Sequence, residues 1–399
     1  MTEAAPVIIA GAGPVGMVAA ADLVRHGIPV TVFEKMGSLS LESRASTFHP
    51  PTLDMLDDLG FAQALIAQGL KAPTVQYSST ADGELGTFNF AAISDLTRHP
   101  YRLQSEQFKL TRIIYDALKG NPLFTLKFDS PVVSIVQDGE GVDVGIQGGS
   151  GVERHRCKWL IGADGANSIV RRAQDIDFEG FTWPERFLVV TTSFDFESAR
   201  PGVSPVSYVA DPERWHFLLR IVGAWRVMMP VAAEKSDEQA LGQEYIQASM
   251  KRVLPPGAQF DVRHVTLYRV HQRVAKSFRK GRSFLVGDAA HINNPLGGMG
   301  MNGGIHDALN LSGRLAQVIR QGAGEAVLDS YDRQRRTVTL EAIQGDTIRN
   351  KRNLEARDEK DRERFRNDIR EAAADPEKGR KLLRRIAMFD SLDRAASID

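Results

Sequence analysis

The N-terminal stretch "PVIIAGAGPVGMVAAADLVRHGIPVTVFEK" constrains the fold of this chain more than any other segment. The apolar run from Val7 to Ala10 predicts a buried parallel strand, and the helically spaced apolar residues after it predict a helix. Gly27 stands where a helix stop is expected, and "VTVF" predicts a second buried strand. The chain is therefore expected to begin with a strand–turn–helix–strand unit of the α/β class.

A glycine turn between the first strand and the helix predicts a dinucleotide site. Gly11, Gly13 and Gly16 form the pattern G-x-G-x-x-G, and Glu34 ends the second strand. The first glycine makes the turn, the second lets the backbone approach a pyrophosphate, and the third lets the helix pack on the strand. Glu34 is expected to accept hydrogen bonds from an adenosine ribose. This turn alone leaves NAD(P) and FAD open as the ligand.

A second glycine-rich segment, "GDAAHINNPLGGMGMNGG", lies between the apolar strand "SFLVG" and an amphipathic helix. Five glycines fall within the eight residues from Gly297 to Gly304. Glycine is entropically costly to order, so such a run must serve a backbone need. It predicts either a close approach of the backbone to a ligand or an anion held at a helix N-terminus.

Composition narrows the class of protein. The 399 residues include 50 basic and 50 acidic side chains, so the chain has no global charge that would attract nucleic acid or an anionic membrane. A single cysteine, Cys157, argues against a disulfide framework. The N-terminus has no signal-peptide pattern, and no apolar run approaches transmembrane length. We therefore expect a cytoplasmic protein that binds neither nucleic acid nor membrane.

Two later regions differ in character. Residues 181–275 contain "FLVVTTSFDF", "VSYVAD", "WHFLLRI" and "WRVMMPV", whose β-branched and aromatic residues predict a mainly antiparallel sheet. From about Asn350 the chain is highly charged and helical in pattern. We expect that segment to be a solvated surface with a thin apolar stripe, and a packing or dimerisation role is left open.

Three motifs, in the order "GAGPVG" with Glu34, "GADGANSIVRR" and "GDAAHINNPLGGMGMNGG", resemble those of the class A flavoprotein monooxygenases, the aromatic hydroxylases similar to para-hydroxybenzoate hydroxylase. The resemblance runs from the first strand to about Asp332. It implies bound FAD, NADH or NADPH as co-substrate, and O2. Through a C4a-hydroperoxyflavin, such an enzyme would hydroxylate a phenolic or hydroxy-N-heteroaromatic substrate, which we expect to be acidic. No metal is required.

The resemblance also implies which residues contact FAD. Asp164 is further expected, from its own chemistry, to fix the turn "ADGANS" through backbone N–H groups. Backbone N–H groups at the start of the helix after the glycine run would meet the pyrimidine edge of the flavin and stabilise its anionic reduced form. The implied contacts are Gly11, Gly13, Pro14, Val15, Gly16, Glu34, Lys35, Arg44, Gln107 (with Gln104 as its alternative), Val133, Asp164, Gly165, Asp288, Pro295, Gly298, Gly300, Met301 and Asn302.

Substrate contacts are expected from the strand-rich region. Arg220 could hold a carboxylate, and His216 or a tyrosine could relay a proton. For each candidate, a sheet residue facing core or solvent is an equally good interpretation. The His291 of "GDAAH" is assigned to the architecture of its loop and not to base catalysis. The substrate candidates are Tyr77, Tyr208, His216, Arg220 and Trp225.

The predicted fold is mixed α/β and α+β: a Rossmann-like FAD-binding domain, an inserted antiparallel substrate domain and a C-terminal helical tail. The predicted segments are 1–72, 101–180 and 276–345 for FAD, 73–100 and 181–275 for substrate, and 346–399 for the tail. We expect a monomer or homodimer. Alternatives are a ubiquinone-pathway hydroxylase, a reductase, a halogenase or a non-catalytic FAD-binding protein. The halogenase pattern W-x-W-x-I-P is not matched by the nearest segment, "FTWPERF".

Overall fold

A computed structural model describes residues 6–42, 45–149 and 151–399 of the protein. Its strands, in chain order, are β1 (Val7–Ala10), β2 (Val30–Phe33), β3 (Thr47–Phe48), β4 (Leu70–Ala72), β5 (Thr74–Ser79), β6 (Gly83–Asn89), β7 (Arg102–Gln104), β8 (Phe124–Lys127), β9 (Val132–Gln137), β10 (Val142–Gly148), β11 (Gly151–Cys157), β12 (Trp159–Gly162), β13 (Phe178–Thr192), β14 (Val206–Ala210), β15 (His216–Ile221), β16 (Ala224–Val231), β17 (His264–Ala275), β18 (Arg279–Lys280), β19 (Ser283–Leu285) and β20 (His291–Ile292).

The helices connect and cover these strands. In chain order they are α1 (Pro14–Arg25), α2 (Pro50–Asp58), α3 (Ala62–Ile66), α4 (Gln107–Leu118), α5 (Ile169–Ala173), α6 (Phe196–Ala199), α7 (Asp237–Leu241), α8 (Gln243–Val253), α9 (Met299–Gln321), α10 (Asp329–Val338), α11 (Gly345–Leu354), α12 (Glu359–Ala374), α13 (Pro376–Ile386) and α14 (Phe389–Ala396). Short 3₁₀ turns lie at Phe90–Ile93, Gly287–Ala289 and Glu325–Leu328, and a π-helical segment, Thr339–Gln344, joins α10 to α11.

The first sheet contains the predicted N-terminal unit. Its strand order is β18-β19-β12-β1-β2-β8, and only β18 runs antiparallel to its neighbour. β1 lies between β12 and β2 and is fully buried, as its unbroken apolar run requires. α1 packs against α9 and α4. The prediction of a Rossmann-like strand–turn–helix–strand start is confirmed.

The second sheet has eight strands in the order β20-β17-β13-β16-β15-β14-β5-β6. All neighbouring pairs are antiparallel except β14 with β5. The longest strands, β13 with 15 residues and β17 with 12, pair over most of their length. The mainly antiparallel sheet predicted for residues 181–275 is therefore confirmed, and β5 and β6 extend it from earlier in the chain.

Alternation along the strands divides this sheet into two packing faces. The inner face packs with Leu296 of the glycine-rich segment and includes Phe187, Val189, Tyr208, Phe217 and Met228. The outer face is covered by α8 and includes Leu188, Val190, Leu218, Trp225 and Val227. Only the inner face can therefore contribute side chains to a site at the glycine-rich segment.

The C-terminal segment packs on the inner face. Phe365 and Ile369 of α12 and Leu383 of α13 are buried in the same cluster as Tyr77 and Phe88. The approach is close, because a Cβ added at Gly86 of β6 would lie 2.8 Å from the Cβ of Ala373. The remainder of α12 is mostly exposed, so this segment is the solvated surface with a thin apolar stripe that the sequence predicts. Its thin apolar stripe is a buried contact, and the packing role that the sequence left open is the one observed.

Among the helices of the described residues, none is both long and apolar enough to cross a membrane. The buried apolar side chains separate mainly into one cluster around the parallel sheet and two on the faces of the eight-stranded sheet. The predicted division into FAD-binding, substrate and C-terminal segments stays a prediction.

Candidate active site

The turn after β1 contains glycines required for two different reasons. A Cβ at Gly16 would lie 2.1 Å from the carbonyl oxygen of Gly11, and one at Gly11 would lie 2.5 Å from that of Ala163. At these two positions the protein itself leaves no room for a side chain. A Cβ at Gly13 would meet no atom within 4 Å, and the φ of Gly13 is −68°. The fold therefore does not require glycine at position 13, whereas a ligand approaching the start of α1 would.

Glu34 borders the same turn. Its Oε2 accepts a hydrogen bond from Ala12 N at 2.8 Å, and its Oε1 accepts one from Met36 N at 3.0 Å. Each carboxylate oxygen keeps a further lone pair, which a ribose hydroxyl could use. The neighbouring Lys35 is exposed. Val133 of β9 is 39% exposed. It follows three residues after Ser130, whose backbone N donates to Glu34 O.

Asp164 performs the predicted turn-fixing role. Its Oδ2 accepts hydrogen bonds from Ile169 N at 2.7 Å and Val170 N at 3.2 Å, at the start of α5. Its Oδ1 is buried without a partner, and burial raises the pKa of this carboxyl. The adjacent Gly165 has a φ of +79°, which favours glycine. Because Ala163 abuts Gly11, the second motif lies against the first glycine turn.

The third motif adjoins the first through close backbone packing. A Cβ at Gly304 would lie 2.7 Å from Cγ2 of Val15 and 2.9 Å from Cα of Gly287. Pro14 and Val15, at the start of α1, therefore lie near the 3₁₀ turn that contains Asp288, whose side chain is exposed. The turn after β1, Asp164 and Gly165 (the "DG" motif), and Gly287 and Asp288 (the "GD" motif) thus adjoin one another.

The glycine-rich loop consists of Gly297 and Gly298. It leads into the N-terminus of α9, which no side chain caps. Gly298, in the left-handed conformation with a φ of +67°, is the N-cap of α9, and no side chain caps this helix. The amide of Asn302 accepts from His49 N and donates to the carbonyl oxygens of Thr47 and Gly298. That amide fixes the loop, while the first backbone N–H groups of α9 stay available to an acceptor such as a flavin carbonyl.

Other implied FAD contacts surround this loop. Thr47 Oγ1 donates to Gln104 Oε1 at 2.8 Å, and the buried Nε2 of Gln104 has no partner. Gln107 begins α4 and is half-buried. Pro295 is exposed, and a Cβ at Gly300 would lie 3.3 Å from the unpartnered Oδ1 of Asn293. Met301 is 9% exposed, and Arg44 lies outside the described residues.

His291 belongs to a buried ion network that the sequence did not reveal. Its Nε2 contacts Asp307 Oδ2 at 2.8 Å, and Asp307 Oδ1 accepts from Arg335 Nε at 2.7 Å. Burial alone would raise the pKa of Asp307, but Arg335 and His291 outweigh burial and lower it to about 2. Asp307 Oδ2 also accepts from Gly287 N, at the start of the "GD" motif. His291 therefore supports the loop structurally, as expected.

Two buried histidines near the loop are held neutral. His49 Nε2 lies 2.9 Å from the carbonyl oxygen of Gly297, and burial followed by the charge of Arg102 lowers the pKa of His49. His306 Nε2 lies 2.9 Å from Thr52 Oγ1, and burial followed by Arg335 lowers its pKa to about 3. Both imidazoles are therefore uncharged at neutral pH and add no positive charge beside the loop.

The five substrate candidates do not share one site. Tyr77 and Tyr208 lie on the inner face and stack at 5.3 Å, and burial raises the pKa of Tyr77. Strand alternation places His216, Arg220 and Trp225 on the outer face with Leu218. The pKa of His216 falls to about 4 through burial, and Arg220 pairs with Glu197 at 2.5 Å. These three are therefore sheet residues that face away from the glycine-rich segment, which is the second interpretation that the sequence left open.

Arg226 and Tyr268 are inner-face residues that the sequence reasoning missed. Arg226 Nη1 donates to Ser46 Oγ at 2.8 Å, next to Thr47, whose side chain abuts Gly298. Burial lowers the pKa of Arg226, while nearby Tyr268 and Glu106 oppose that shift. Between Arg226 and Tyr268 the sheet presents Val189 and Met228, each 8% exposed. A cation beside an apolar floor thus faces the loop.

The residues present fit FAD. The open space at Gly13 suits a pyrophosphate, Asp164 Oδ1 and Gln104 Nε2 are buried polar atoms that lack partners, and α9 presents an uncapped N-terminus. A redox cofactor beside the apolar inner face is typical of a flavoprotein that acts on a small organic molecule.

Comparison with known proteins gives the family. The model of the FAD binding domain family matches residues 4–346, so the chain belongs to that family. It is 35% identical over 341 residues to a para-nitrophenol 4-monooxygenase of Pseudomonas sp. (strain WBC-3), spanning 84% of this chain and 83% of that protein. It is also 35% identical to the 6-hydroxy-3-succinoylpyridine 3-monooxygenase HspB of Pseudomonas putida (strain DSM 28022 / S16), spanning 87% and 88% of the two chains.

A solved structure extends the similarity through the C-terminal segment. The p-nitrophenol 4-monooxygenase PnpA from Pseudomonas putida DLL-E4 superposes with a TM-score of 0.92 at 31% identity, covering 98% of this chain and 99% of that one. The protein is therefore an FAD-dependent aromatic monooxygenase that hydroxylates a phenolic substrate, with NAD(P)H and O2 as co-substrates. The resemblance recognised from the three motifs is confirmed.

Proposed function

We propose that the substrate is a phenol without a second charged group, bound as its phenolate between the inner face and the glycine-rich loop. Arg226 would meet the phenolate oxygen. The observation that carries this proposal is the placement of Arg226 beside Ser46, one residue before the Thr47 that abuts Gly298. A half-buried guanidinium at that place favours an anionic oxygen close to the glycine-rich loop.

The chemistry of the inner face supports an uncharged body for this substrate. On β15 its side chains are Phe217, Leu219 and Ile221, and on β16 Met228 follows Arg226. The arginine that we expected to hold a substrate carboxylate, Arg220, lies on the outer face and pairs with Glu197. A second anionic group held against β15 and β16 would therefore lie on apolar side chains, which is unfavourable because its charge is desolvated. This argues for a substrate that is not acidic beyond its phenol.

The two relatives differ in this respect. The name of the first describes a nitrophenol, whose ring carries no carboxylate, whereas the name of the second describes a succinoylpyridine, whose side chain ends in one. The apolar inner face favours the nitrophenol type, and we propose para-substituted phenols of that type as substrates.

NADH and NADPH stay equal candidates for the reductant. We also propose a cytoplasmic location, on the basis of the single buried Cys157, and a monomer or homodimer as the oligomeric state.

Bound FAD would supply the redox chemistry, namely transfer of electrons from NAD(P)H and activation of O2, which provides the oxygen atom that enters the ring. The chain's own residues have simpler tasks. Arg226 stabilises the phenolate, which is more electron-rich than the phenol and so more reactive towards an electrophilic oxygen. Val189, Phe217 and Met228 exclude water and orient the ring. The FAD itself would be held by Gly13, Glu34, Asp164, Asp288 and the start of α9, with the other implied contacts around them.

We expect Arg226→Met to lower kcat/KM for a phenolic substrate by about 10- to 100-fold, because one charge-assisted hydrogen bond is lost. Arg226→Lys should recover part of this loss, since it restores the charge without the planar fork. Steady-state NAD(P)H oxidation with 4-nitrophenol measures the effect, and the visible flavin spectrum serves as the folding control. Unchanged kcat/KM in Arg226→Met would place the phenolate elsewhere.

A further inference from the structure

Helix α11 of the C-terminal segment lies directly against the glycine-rich loop. Asn294 Nδ2 donates to the carbonyl oxygen of Thr347 at 2.9 Å, and Asn350 Nδ2 donates to that of Leu296 at 3.3 Å. Just before α11, Gln344 Nε2 donates to the carbonyl oxygen of Ile292 at 3.1 Å. Three hydrogen bonds therefore join residues 292–296, which lead into the glycine-rich loop, to α11 and to the residue directly before it.

A buried glutamine of the eight-stranded sheet completes the connection. Gln272 Nε2 donates to Thr347 Oγ1 at 2.8 Å, and Gln272 Oε1 accepts from the backbone N and Nδ2 of Asn294 at 3.1 and 3.3 Å. Gln272 is 2% exposed, and Asn294 and Thr347 are fully buried. In such a closed, dry network the loss of one group leaves its partners unsatisfied.

The other end of α11 reaches the strands that form the proposed substrate pocket. Asp211 N, just after β14, donates to the carbonyl oxygen of Leu354 at 3.0 Å. Lys351 Nζ lies 3.2 Å from Glu185 Oε2 of β13 and 4.1 Å from the ring centroid of Trp183. α11 therefore joins the loop to the sheet. The π-helical segment that precedes it resembles those found at functional sites of other proteins.

We propose that Thr347 is a positioning residue, which acts through Gln272 and Asn294 to hold the glycine-rich loop in the conformation that FAD requires. This inference rests on the proposed role of that loop in binding FAD. Asn294 directly precedes Pro295, so a shift of its backbone moves the loop. A displaced loop would bind FAD more weakly and admit water, so that the two electrons of NAD(P)H reduce O2 to H2O2 and leave the phenol unchanged.

Thr339 provides a matched control for this test. Thr339 and Thr347 are both 0% exposed, and each donates its hydroxyl to a carbonyl oxygen four residues earlier, at 2.7 and 2.8 Å. The hydroxyl of Thr347 also accepts a hydrogen bond from Gln272 Nε2. For the hydroxyl of Thr339, the structure gives one hydrogen bond, to Arg335 O. Thr→Val at either position removes a buried hydroxyl at constant volume. The comparison therefore tests the two contacts particular to the Thr347 hydroxyl, the one with Gln272 and a longer one to Gln344 O at 3.2 Å.

We expect Thr347→Val to raise the dissociation constant for FAD about tenfold, to shift the visible spectrum of bound flavin and to increase severalfold the share of NAD(P)H oxidation that ends as H2O2. Thr347→Ser should restore all three, and Thr339→Val should match the wild type. Fluorescence titration with FAD gives the first readout without any turnover. Equal FAD affinity and equal peroxide yield in Thr347→Val and Thr339→Val would overturn the inference.

A second variant keeps the test decisive if Thr347→Val does not fold. Gln344→Met removes the donor to the carbonyl oxygen of Ile292, two residues before Asn294. It should weaken FAD binding in the same direction, and wild-type affinity in that variant would count against the inference. The proposed function fails separately, if the wild-type protein and Thr339→Val hydroxylate no phenol although they bind FAD.

Discussion

We expect Gly16→Ala to lose both thermal stability and FAD, and Gly13→Ala to keep the fold and lose only FAD affinity. At position 16 the new Cβ would lie 2.1 Å from a backbone carbonyl oxygen, which cannot move without shifting β1. Overpacking of this kind costs about 1–3 kcal/mol, and occasionally more. At position 13 the new Cβ meets no atom of the protein. It would occupy the space proposed for the pyrophosphate and weaken FAD binding by about 10- to 100-fold.

The two variants are compared by circular dichroism melting of the FAD-free proteins and by fluorescence titration with FAD. The first measurement reports the protein's own packing, and the second reports the cofactor site. If Gly13→Ala binds FAD as tightly as the wild type, the start of α1 is not the pyrophosphate site. If Gly16→Ala melts normally, the clash is relieved by a backbone shift that the structure gives no sign of.

The second large effect is expected at the buried network beneath the "GD" motif. Asp307→Asn keeps the size of the side chain but leaves Arg335, which is 1% exposed, without its counter-charge. Removing one partner of a buried ion pair typically costs about 3–5 kcal/mol. For a chain of this length we expect the midpoint of thermal unfolding to fall by roughly 5 °C.

An exposed aspartate gives the matched comparison. Asp116 pairs with Lys119 one helical turn away, and both side chains are more than half exposed. Asp116→Asn makes the same chemical change and should leave the melting midpoint unchanged. Differential scanning calorimetry of the two variants measures the contrast. A normal midpoint for Asp307→Asn would mean that Arg335 finds another acceptor or is hydrated.

Local motifs made much of the candidate FAD site predictable. The positions of Gly11, Gly16 and Glu34 follow from a strand–turn–helix–strand unit that is contiguous in sequence. Asp164 was predictable for a similar reason, because its partners Ile169 and Val170 lie only five and six residues away. Such short-range geometry depends little on the rest of the fold. The mainly antiparallel sheet followed from alternating apolar residues in the same way.

The substrate side was less predictable because it depends on which face of a strand a residue occupies. Arg220 and Arg226 lie on the two neighbouring strands of a hairpin, β15 and β16. A register change of one residue would move every side chain of a strand to the opposite face of the sheet. In the observed register, Ile221 pairs with Ala224, which places Arg226 on the inner face and Arg220 on the outer one. Sequence patterning alone gave no sign of that choice.

Long-range partners were also beyond the sequence. Asp307 and Arg335 lie on different helices, and nothing in either local pattern links them. The packing of α12 and α13 on β6 was left open because a few buried residues, such as Phe365 and Ile369, stand among many charged ones. An apolar stripe that thin also fits a solvated helix.

Product analysis on the purified FAD-loaded protein tests the central claim most directly. The protein is given 4-nitrophenol or 4-hydroxybenzoate with either NADH or NADPH, and hydroxylated product and H2O2 are quantified together. We predict coupled hydroxylation of 4-nitrophenol and little product from 4-hydroxybenzoate, because the inner face offers Arg226 to the phenolate and an apolar floor to the remainder of the ring. Efficient coupled hydroxylation of 4-hydroxybenzoate, with 4-nitrophenol left unreacted, would contradict the proposed pocket.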